Sequence, residues 1–222
     1  WVEKNSLRQG DMVHVFENDS RNLILSPLFH EQFSDEQITL DIKDFSDIEG
    51  IIFAAYYKGF EKIKITSKTV FEKNHIAKIR KIIGYMSGTE ITNEDQNKIV
   101  IRVLLDKRKV DIRQVLYRIG LIIKSSLNTL GDDVDMQILQ QNESEIDRLY
   151  HLVVKMTTMA LTKNEILKSS NIDNIAHIPS LFTIGKKLER IGDKINHLAK
   201  ELKLLETKPD LMDEMFSIFK EE

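Results

Sequence analysis

Two pairs of acidic residues have the spacing that places both carboxylates on one side of a helix. Glu143 and Asp147 lie four residues apart in ESEID, and Glu189 and Asp193 lie four apart in ERIGD. At this spacing like charges are neighbours and repel by roughly a few tenths of a kcal/mol. A bound cation would offset the repulsion, and carboxylate oxygens suit Mg²⁺, Mn²⁺, iron or Ca²⁺ and also bind Zn²⁺. The four residues are therefore candidate metal ligands.

The apolar residues around each pair predict where the carboxylates face. Leu188 and Ile191 belong to a stripe with 3,4 spacing that would face a helical core. Glu189 and Asp193 then fall toward the solvated side, and the first pair also falls outside its own stripe. This argues against a metal site inside a four-helix bundle and leaves two interpretations open, a surface site shared by two helices or plain solvated acidic faces. An outward face supplies no pocket for an enzyme.

The other residue types narrow the chemistry further. Five side chains near the acidic pairs could add ligands or supporting contacts: Glu145, Tyr150, His151, Asn196 and His197. No two of the six histidines have the spacing of a zinc-binding helix, and the sequence has neither a nucleophile elbow nor a glycine-rich phosphate loop. Cysteine is absent, which excludes disulfides and thiol catalysis and fits a reducing, cytoplasmic interior. No apolar run approaches the roughly 18–20 residues of a membrane span.

The elements that must position these residues follow from periodicity and turn signals. The 222 residues, 41% hydrophobic and 30% charged, allow a packed core. A hairpin is predicted first, and the order β-α-β-α-β-β is predicted next, which favours a small α+β layer. Ser46 is a candidate helix N-cap there, while Gly59 and Gly88 are candidate helix ends. Three long amphipathic helices follow, with Pro179 placed in the loop before the third, and a short terminal helix ends the chain.

Charge is distributed unevenly along the chain. Residues 58–109 carry 13 Lys/Arg against 6 Asp/Glu, and residues 132–222 carry 12 against 17. The basic middle is either a solvated face or a surface for an anionic partner.

The residues around the acidic pairs resemble a known family. NESEIDRLYHLVVKM, residues 142–156, is similar to the second helix of archaeal PhoU domains, and LERIGDKINHLAKEL, residues 188–202, is similar to the third. Each contains the Glu-x-x-x-Asp spacing with which PhoU proteins hold multinuclear iron or zinc clusters. The resemblance therefore implies iron or zinc at Glu143, Asp147, Glu189 and Asp193. The first motif departs in having Asn-Glu-Ser where relatives tend to have Arg-Glu-Asn, and Lys194 replaces a common histidine; no carboxylate is lost.

The N-terminal SLRQGDMVHVFEN and RNLILSP resemble the closing half of an AbrB-like swapped hairpin, whose preceding strand would lie before Trp1. The middle segment resembles the α+β piece that joins the two modules in archaeal PhoU proteins. The implied fold is mixed. An AbrB-like remnant occupies residues 1–28, an α+β domain 36–106, an antiparallel three-helix PhoU-like bundle 108–206 and a terminal helix 209–222.

The same resemblance implies a function. The expected role is regulation of phosphate uptake and phosphate-responsive transcription, without enzymatic activity. The implied partners are DNA through the AbrB-like module, a phosphate transporter ATPase or a sensor kinase, and a second copy in a homodimer. Two alternatives remain: a metal-dependent phosphohydrolase and a purely structural helical scaffold.

Overall fold

The computed structural model describes residues 8–10, 13–17, 23–27, 37–42, 47–132 and 134–204. The chain divides into two compact units, Trp1–Glu36 and Gln37–Glu222. The terminal helix predicted for residues 209–222 and the N-cap predicted at Ser46 lie outside the described residues.

The first unit contains an antiparallel hairpin. Strands β1 (Val13–Glu17) and β2 (Leu23–Pro27) pair with Val15 opposite Leu25. Val13, Val15 and Leu25 are exposed by 37%, 54% and 48%. An isolated two-stranded hairpin is marginal in water, so exposed apolar side chains such as these would stabilise it if another surface covered them.

The second unit begins with a four-stranded sheet in the order β3-β4-β6-β5. Its strands are β3 (Gln37–Asp41), β4 (Lys62–Thr66), β5 (Thr89–Asp95) and β6 (Lys98–Val103). The β3–β4 pair is parallel, while β6 runs antiparallel to β4 and β5. The predicted order β-α-β-α-β-β is therefore confirmed, although the β5–β6 turn is tighter than the predicted turn over residues 93–97.

Two helices cover the sheet, and their ends refine the predicted boundaries. Helix α1 (Ile48–Lys58) begins after Asp47, whose carboxylate accepts the Gly50 amide at 3.0 Å. The N-cap of α1 is thus Asp47, the residue after the predicted one. Gly59 ends α1 as predicted, with a φ of 90° that favours glycine. Helix α2 (Lys73–Gly84) ends four residues before the predicted stop at Gly88, because residues 85–88 turn directly into β5.

Three long helices make up the rest of the described chain. They are α3 (Ile112–Asp132), α4 (Met136–Ala160) and α6 (Ile178–Leu204), and each contacts the other two. A short helix, α5 (Asn164–Ser169), which the sequence did not predict, lies between α4 and α6. Pro179 was predicted to lie in a loop, but it is the second residue of α6. A proline fits there because the first helical turn needs no amide donor at that position.

The second unit has two apolar cores. One lies between the sheet and the helices α1 and α2, with Ile52, Tyr56, Ile63 and Ile101 fully buried. The other lies among α3, α4 and α6, and it includes Met156 and Met159. Both cores belong to one compact unit, whereas the sequence interpretation separated residues 36–106 from 108–206. That division stays a prediction.

Helix α1 packs on α4 and joins the two cores. The Lys155 side chain of α4 is only 2% exposed, and its ammonium donates to the Tyr56 carbonyl at 3.1 Å and lies 4.1 Å from the centre of that tyrosine ring. The imidazole of His151 stacks on Phe53, with ring centres 4.2 Å apart, and its Nδ1 is hydrogen-bonded to the Tyr57 hydroxyl. These contacts hold α1 beside the part of α4 that carries the acidic residues.

Candidate functional site

Two glycines of α6 allow that helix to approach α4 closely. A Cβ added at Gly185 would lie 3.0 Å from Val153, and one added at Gly192 would lie 2.9 Å from the Ile146 side chain. Both distances are shorter than ordinary carbon contacts, which begin near 3.5 Å. The glycines therefore set the helix spacing at the level of the acidic pairs.

This spacing brings three of the four predicted ligands together. One carboxylate oxygen from each of Asp147, Glu189 and Asp193 can be chosen so that all three lie within 4.8 Å of one another. Asp193 is exposed, whereas Asp147 and Glu189 are half-buried. The sequence placed these carboxylates on or toward the solvated side rather than in the core; among them, Asp147 is half-buried. Its side chain lies in the angle between α4 and α6, where α1 and α2 pack nearby.

Asp147 has the most unfavourable electrostatic position of the group. Burial raises its pKa to about 6, and the charges of Asp193, Glu143 and Glu189 add to that effect, while Lys186 opposes it. The causes indicate that folding forces like charges together without enough positive charge nearby. A cation at this point would relieve the repulsion.

Glu143 lies one turn before Asp147 and is held by an amide. The side chain of Asn196 donates from Nδ2 to its carboxylate. Burial raises the pKa of Glu143; Lys200 opposes this effect, and Asp193 adds to it. Asn196 is 2% exposed, and its Oδ1 has no hydrogen-bond partner among the described residues. A buried amide oxygen without a donor is uncommon and needs a physical explanation, such as a bound ion or water.

Lys186 of α6 places an ammonium group beside the acidic cluster. Its ammonium donates to both Glu189 oxygens, at 2.9 and 2.8 Å, and lies 5.0 Å from the centre of the Tyr150 ring. The hydrogen bond to Glu189 is the main reason that the pKa of Lys186 is raised. Lys186 thus pairs directly with Glu189 and offsets the repulsion at Asp147 only in part, since the pKa of Asp147 stays raised.

The carboxylates line a cleft of about 490 Å³, which the sequence interpretation did not foresee. The helical pattern predicted an outward face without a pocket, but α1 and α2 supply a second wall. From these helices the cleft receives Glu49, Phe53, Lys78, Lys81, Ile82 and Tyr85. From α4 and α6 it receives Asp147, Tyr150, His151, Lys186, Glu189 and Asp193. The error has a simple cause, since periodicity describes one helix and not what packs on it from a distant segment.

The five additional candidate ligands that the sequence suggested do not all lie at the cluster. Glu145 is bound in ion pairs with Arg118 and Arg148, at 2.8 and 2.7 Å, and is not part of the cluster. Tyr150 and His151 line the cleft. Burial lowers the pKa of His151 to about 4, with Lys186 as a second cause, so the ring is neutral near pH 7. Asn196 contacts Glu143, and His197 is exposed.

The donor set fits a metal ion. Three carboxylates with oxygens within 4.8 Å of one another, and a fourth one helical turn away, form an all-oxygen donor set. Such donors suit hard divalent cations and iron, and they also bind zinc. In the described part of the chain no other group of His, Asp or Glu side chains has this geometry.

The helices that carry this site match a protein family model. Residues 112–202 match the PhoU domain. The match begins at the first residue of α3 and ends within α6, so it contains all four predicted ligands and none of the α+β layer that forms the second wall of the cleft. Neither the curated proteins nor the solved structures gave a significant match to the chain. None of the described helices is long and apolar enough to cross a membrane.

Proposed function

We propose that this protein regulates phosphate uptake through contacts with components of the phosphate transport system. The proposal is carried by the PhoU domain match over residues 112–202, since the function inferred from that family is regulatory. The partners that we propose are the phosphate transporter ATPase and a sensor kinase.

The partner proposal is tested with purified proteins. The transporter ATPase and the sensor kinase from the same organism would each be immobilised, and binding of the full chain would be measured by surface plasmon resonance. Binding to either component supports the proposal. Absence of binding to both, at concentrations up to about 100 μM, would refute it, because transient regulatory contacts usually fall below that value.

We further propose that Glu143, Asp147, Glu189 and Asp193 hold a metal ion, with iron or zinc as the first candidates. Support comes from the convergence of three of these carboxylates and from the raised pKa of Asp147, which burial and then the neighbouring carboxylates cause. When bound, the ion would neutralise that repulsion and hold α4 and α6 at a fixed distance. The family resemblance suggests such a cluster, and the donor set is compatible with it.

The metal proposal is tested by exchanging two carboxylates. The Glu189→Ala/Asp193→Ala protein and the wild type would be stripped with a chelator and reloaded with Fe²⁺, Zn²⁺ or Mn²⁺. Metal content would then be measured by plasma mass spectrometry. Wild-type protein should bind at least one ion per chain and the double variant should not. A matched control, Glu165→Ala/Glu201→Ala, removes two carboxylates outside the cluster and should bind as the wild type does; equal metal content in all three proteins would refute the site.

The N-terminal unit is proposed to mediate dimerisation and DNA binding. The support is the exposed apolar face of the hairpin, where Val15 lies opposite Leu25, together with its AbrB-like sequence. A second copy would cover these side chains. Light scattering should show a dimer for the wild type and a monomer for Val15→Asp. Promoter binding through phosphate contacts should weaken steeply between about 50 and 200 mM salt, and affinity that does not depend on salt would refute that part.

One observation favours a second function, a metal-dependent phosphohydrolase. The cleft is concave and brings carboxylates, lysines and Tyr150 together, as a hydrolytic site requires. A general base remains to be identified, because the Nδ1 of His151 is already engaged by Tyr57. Metal-loaded protein would be assayed with p-nitrophenyl phosphate. Turnover that disappears in Asp193→Asn would support the enzyme, and its absence supports the regulator.

A further inference from the structure

The wall of the cleft that faces the carboxylates carries two lysines. Lys78 and Lys81 are three residues apart on α2 and therefore lie on one side of that helix. The Lys78 ammonium is 3.8 Å from a Glu49 oxygen, and both side chains are 48% exposed, which makes this a weak ion pair. Lys81 has no ion pair or hydrogen bond among the described residues. The two ammonium groups are thus available to a ligand.

The charges around the cleft favour an anion only when a divalent cation is already bound. Its lining contains three lysines, Lys78, Lys81 and Lys186, and four carboxylates, which leaves one net negative charge. An anion would be repelled by that lining. One divalent cation on the carboxylates reverses the sign, and the cleft then attracts anions.

We propose that the cleft binds a phosphate group between the lysines of α2 and a divalent cation held by Asp147, Glu189 and Asp193. This inference rests on the metal site proposed above. A phosphate group has three acceptor oxygens, so it can contact a cation on one side and ammonium groups on the other. Lysine commonly binds phosphate as a point charge.

The size of the cleft indicates room for more than the phosphate itself. A volume of about 490 Å³ lies within the range of small-molecule pockets. Phe53, Tyr85 and Tyr150 add aromatic surface to the lining. Free phosphate and an organic phosphate ester share the same charged contacts, and only the ester would use the aromatic surface.

The test measures metal and phosphate separately on the full chain. Equilibrium dialysis with radiolabelled inorganic phosphate would be run with EDTA and with Mn²⁺, and Mn²⁺ content would be determined in parallel. Phenyl phosphate would compete in a second arm. We expect phosphate binding only with Mn²⁺. In Lys78→Ala/Lys81→Ala the phosphate affinity should fall by at least about tenfold with Mn²⁺ content unchanged, because hydrogen bonds from an ammonium to a phosphate oxygen are charge-assisted and stronger than neutral ones.

A charge-matched control separates contact from long-range attraction. Lys73→Ala/Lys124→Ala removes two exposed lysines that do not line the cleft, one of them on α2. Its phosphate affinity should stay within about twofold of the wild type, with the residual change due to long-range charge. Equal losses in the two double variants would overturn the proposal. Circular dichroism would verify that both variants fold.

The remaining outcomes are also decisive. Phosphate binding that is the same with EDTA and with Mn²⁺ would overturn the role of the cation. Mn²⁺ binding without phosphate binding would sink this inference and leave the metal site intact, whereas absence of Mn²⁺ would remove both. If phosphate binds as expected, phenyl phosphate that competes more strongly than inorganic phosphate itself assigns an ester as the ligand. Phenyl phosphate that competes more weakly assigns the free ion.

Discussion

Helix α4 presents two different polar surfaces to its neighbours. Toward α1, Lys155 and His151 are buried or half-buried, and each has a hydrogen-bond partner on α1. Toward α6, Asp147 meets Glu189 and Asp193. On the first surface the polar groups hydrogen-bond to each other. On the second the carboxylates repel one another, and within the described part of the chain the buried amide oxygen of Asn196 has no partner.

The contrast between these two surfaces of α4 separates polar groups that stabilise the fold from polar groups that are suited to bind a ligand. Buried polar groups normally find partners, and a fold gains nothing from placing like charges side by side. The α1 surface follows that rule, and the α6 surface departs from it at the residues whose spacing first indicated chemistry. Stability measurements on the metal-free protein can test this contrast directly.

The largest effect is expected on the α1 surface, from Lys155→Ala. The change leaves a cavity and removes the donor to the Tyr56 carbonyl, so the free energy of unfolding should fall by about 3 kcal/mol. Urea denaturation measures it. Lys155→Met keeps the volume but not the donor and should lose about half as much. A loss below about 1 kcal/mol in Lys155→Ala would show that the α1 surface does not stabilise the fold.

A smaller effect is expected where α6 approaches α4, from Gly192→Ala. The new methyl group would lie 2.9 Å from Ile146, so the helices must move apart. Overpacking of this kind costs about 1–3 kcal/mol, and the better helix propensity of alanine returns about 1 kcal/mol. The net loss should be about 1 kcal/mol, measured by urea denaturation. The control is Gly120→Ala on α3, where nothing lies within 4 Å of the added atom. There the free energy of unfolding should rise by up to about 1 kcal/mol. Equal gains in stability at both positions would contradict the close helix contact.

Asp147→Asn should stabilise the metal-free protein. It removes a half-buried charge that three other carboxylates repel, and after solvent screening the gain should be about 1 kcal/mol. Thermal unfolding with a chelator present measures it. Glu201→Gln, an exposed change on the same helical pair, should have no effect. If Asp147→Asn destabilises the chelated protein, the α6 surface is structural after all and the contrast between the two surfaces disappears.

The smallest expected effects are on the pH dependence of stability, to which the two surfaces contribute with opposite signs. The pKa of Asp147 is raised to about 6, so lowering the pH from 6 to 4 should stabilise the fold through this residue. The pKa of His151 is lowered to about 4, so the unfolded chain binds its proton first and the same change should destabilise. The two slopes partly cancel in the wild type.

Single variants separate the two contributions to the change of stability with pH. In metal-free protein, Asp147→Asn should lose stability more steeply than the wild type as the pH falls from 6.5 to 4. His151→Gln should gain relative to the wild type over that range. Each difference should be about 1 kcal/mol or less, because both groups are half-buried. Parallel pH profiles for all three proteins would show that neither group titrates as its environment requires.

The sequence predicted the parts of the molecule that depend on local pattern. The 3,4 stripes indicated the three long helices, and the Glu-x-x-x-Asp spacing selected the carboxylates that converge. It indicated Ser46 as the N-cap of α1, where the structure has Asp47, and both residue types are good caps. It could not foresee Lys78 and Lys81 opposite the carboxylates, since periodicity carries no information on which distant helix packs on α4. The glycines of α6 were the available signal for close packing, and Gly192 directly precedes Asp193.

The contact between Lys155 and α1 gives the acidic cluster a mechanical connection to the sheet. Asp147, His151 and Lys155 follow one another at intervals of one helical turn, so the cluster and the buried ammonium are about 12 Å apart along a rigid rod. The far end of that rod is bonded to the C-terminal turn of α1, which leads through Gly59 into β4. A tilt of α4 caused by a change of charge at Asp147 would therefore be transmitted to the middle of the sheet, 80 to 90 residues away in the chain.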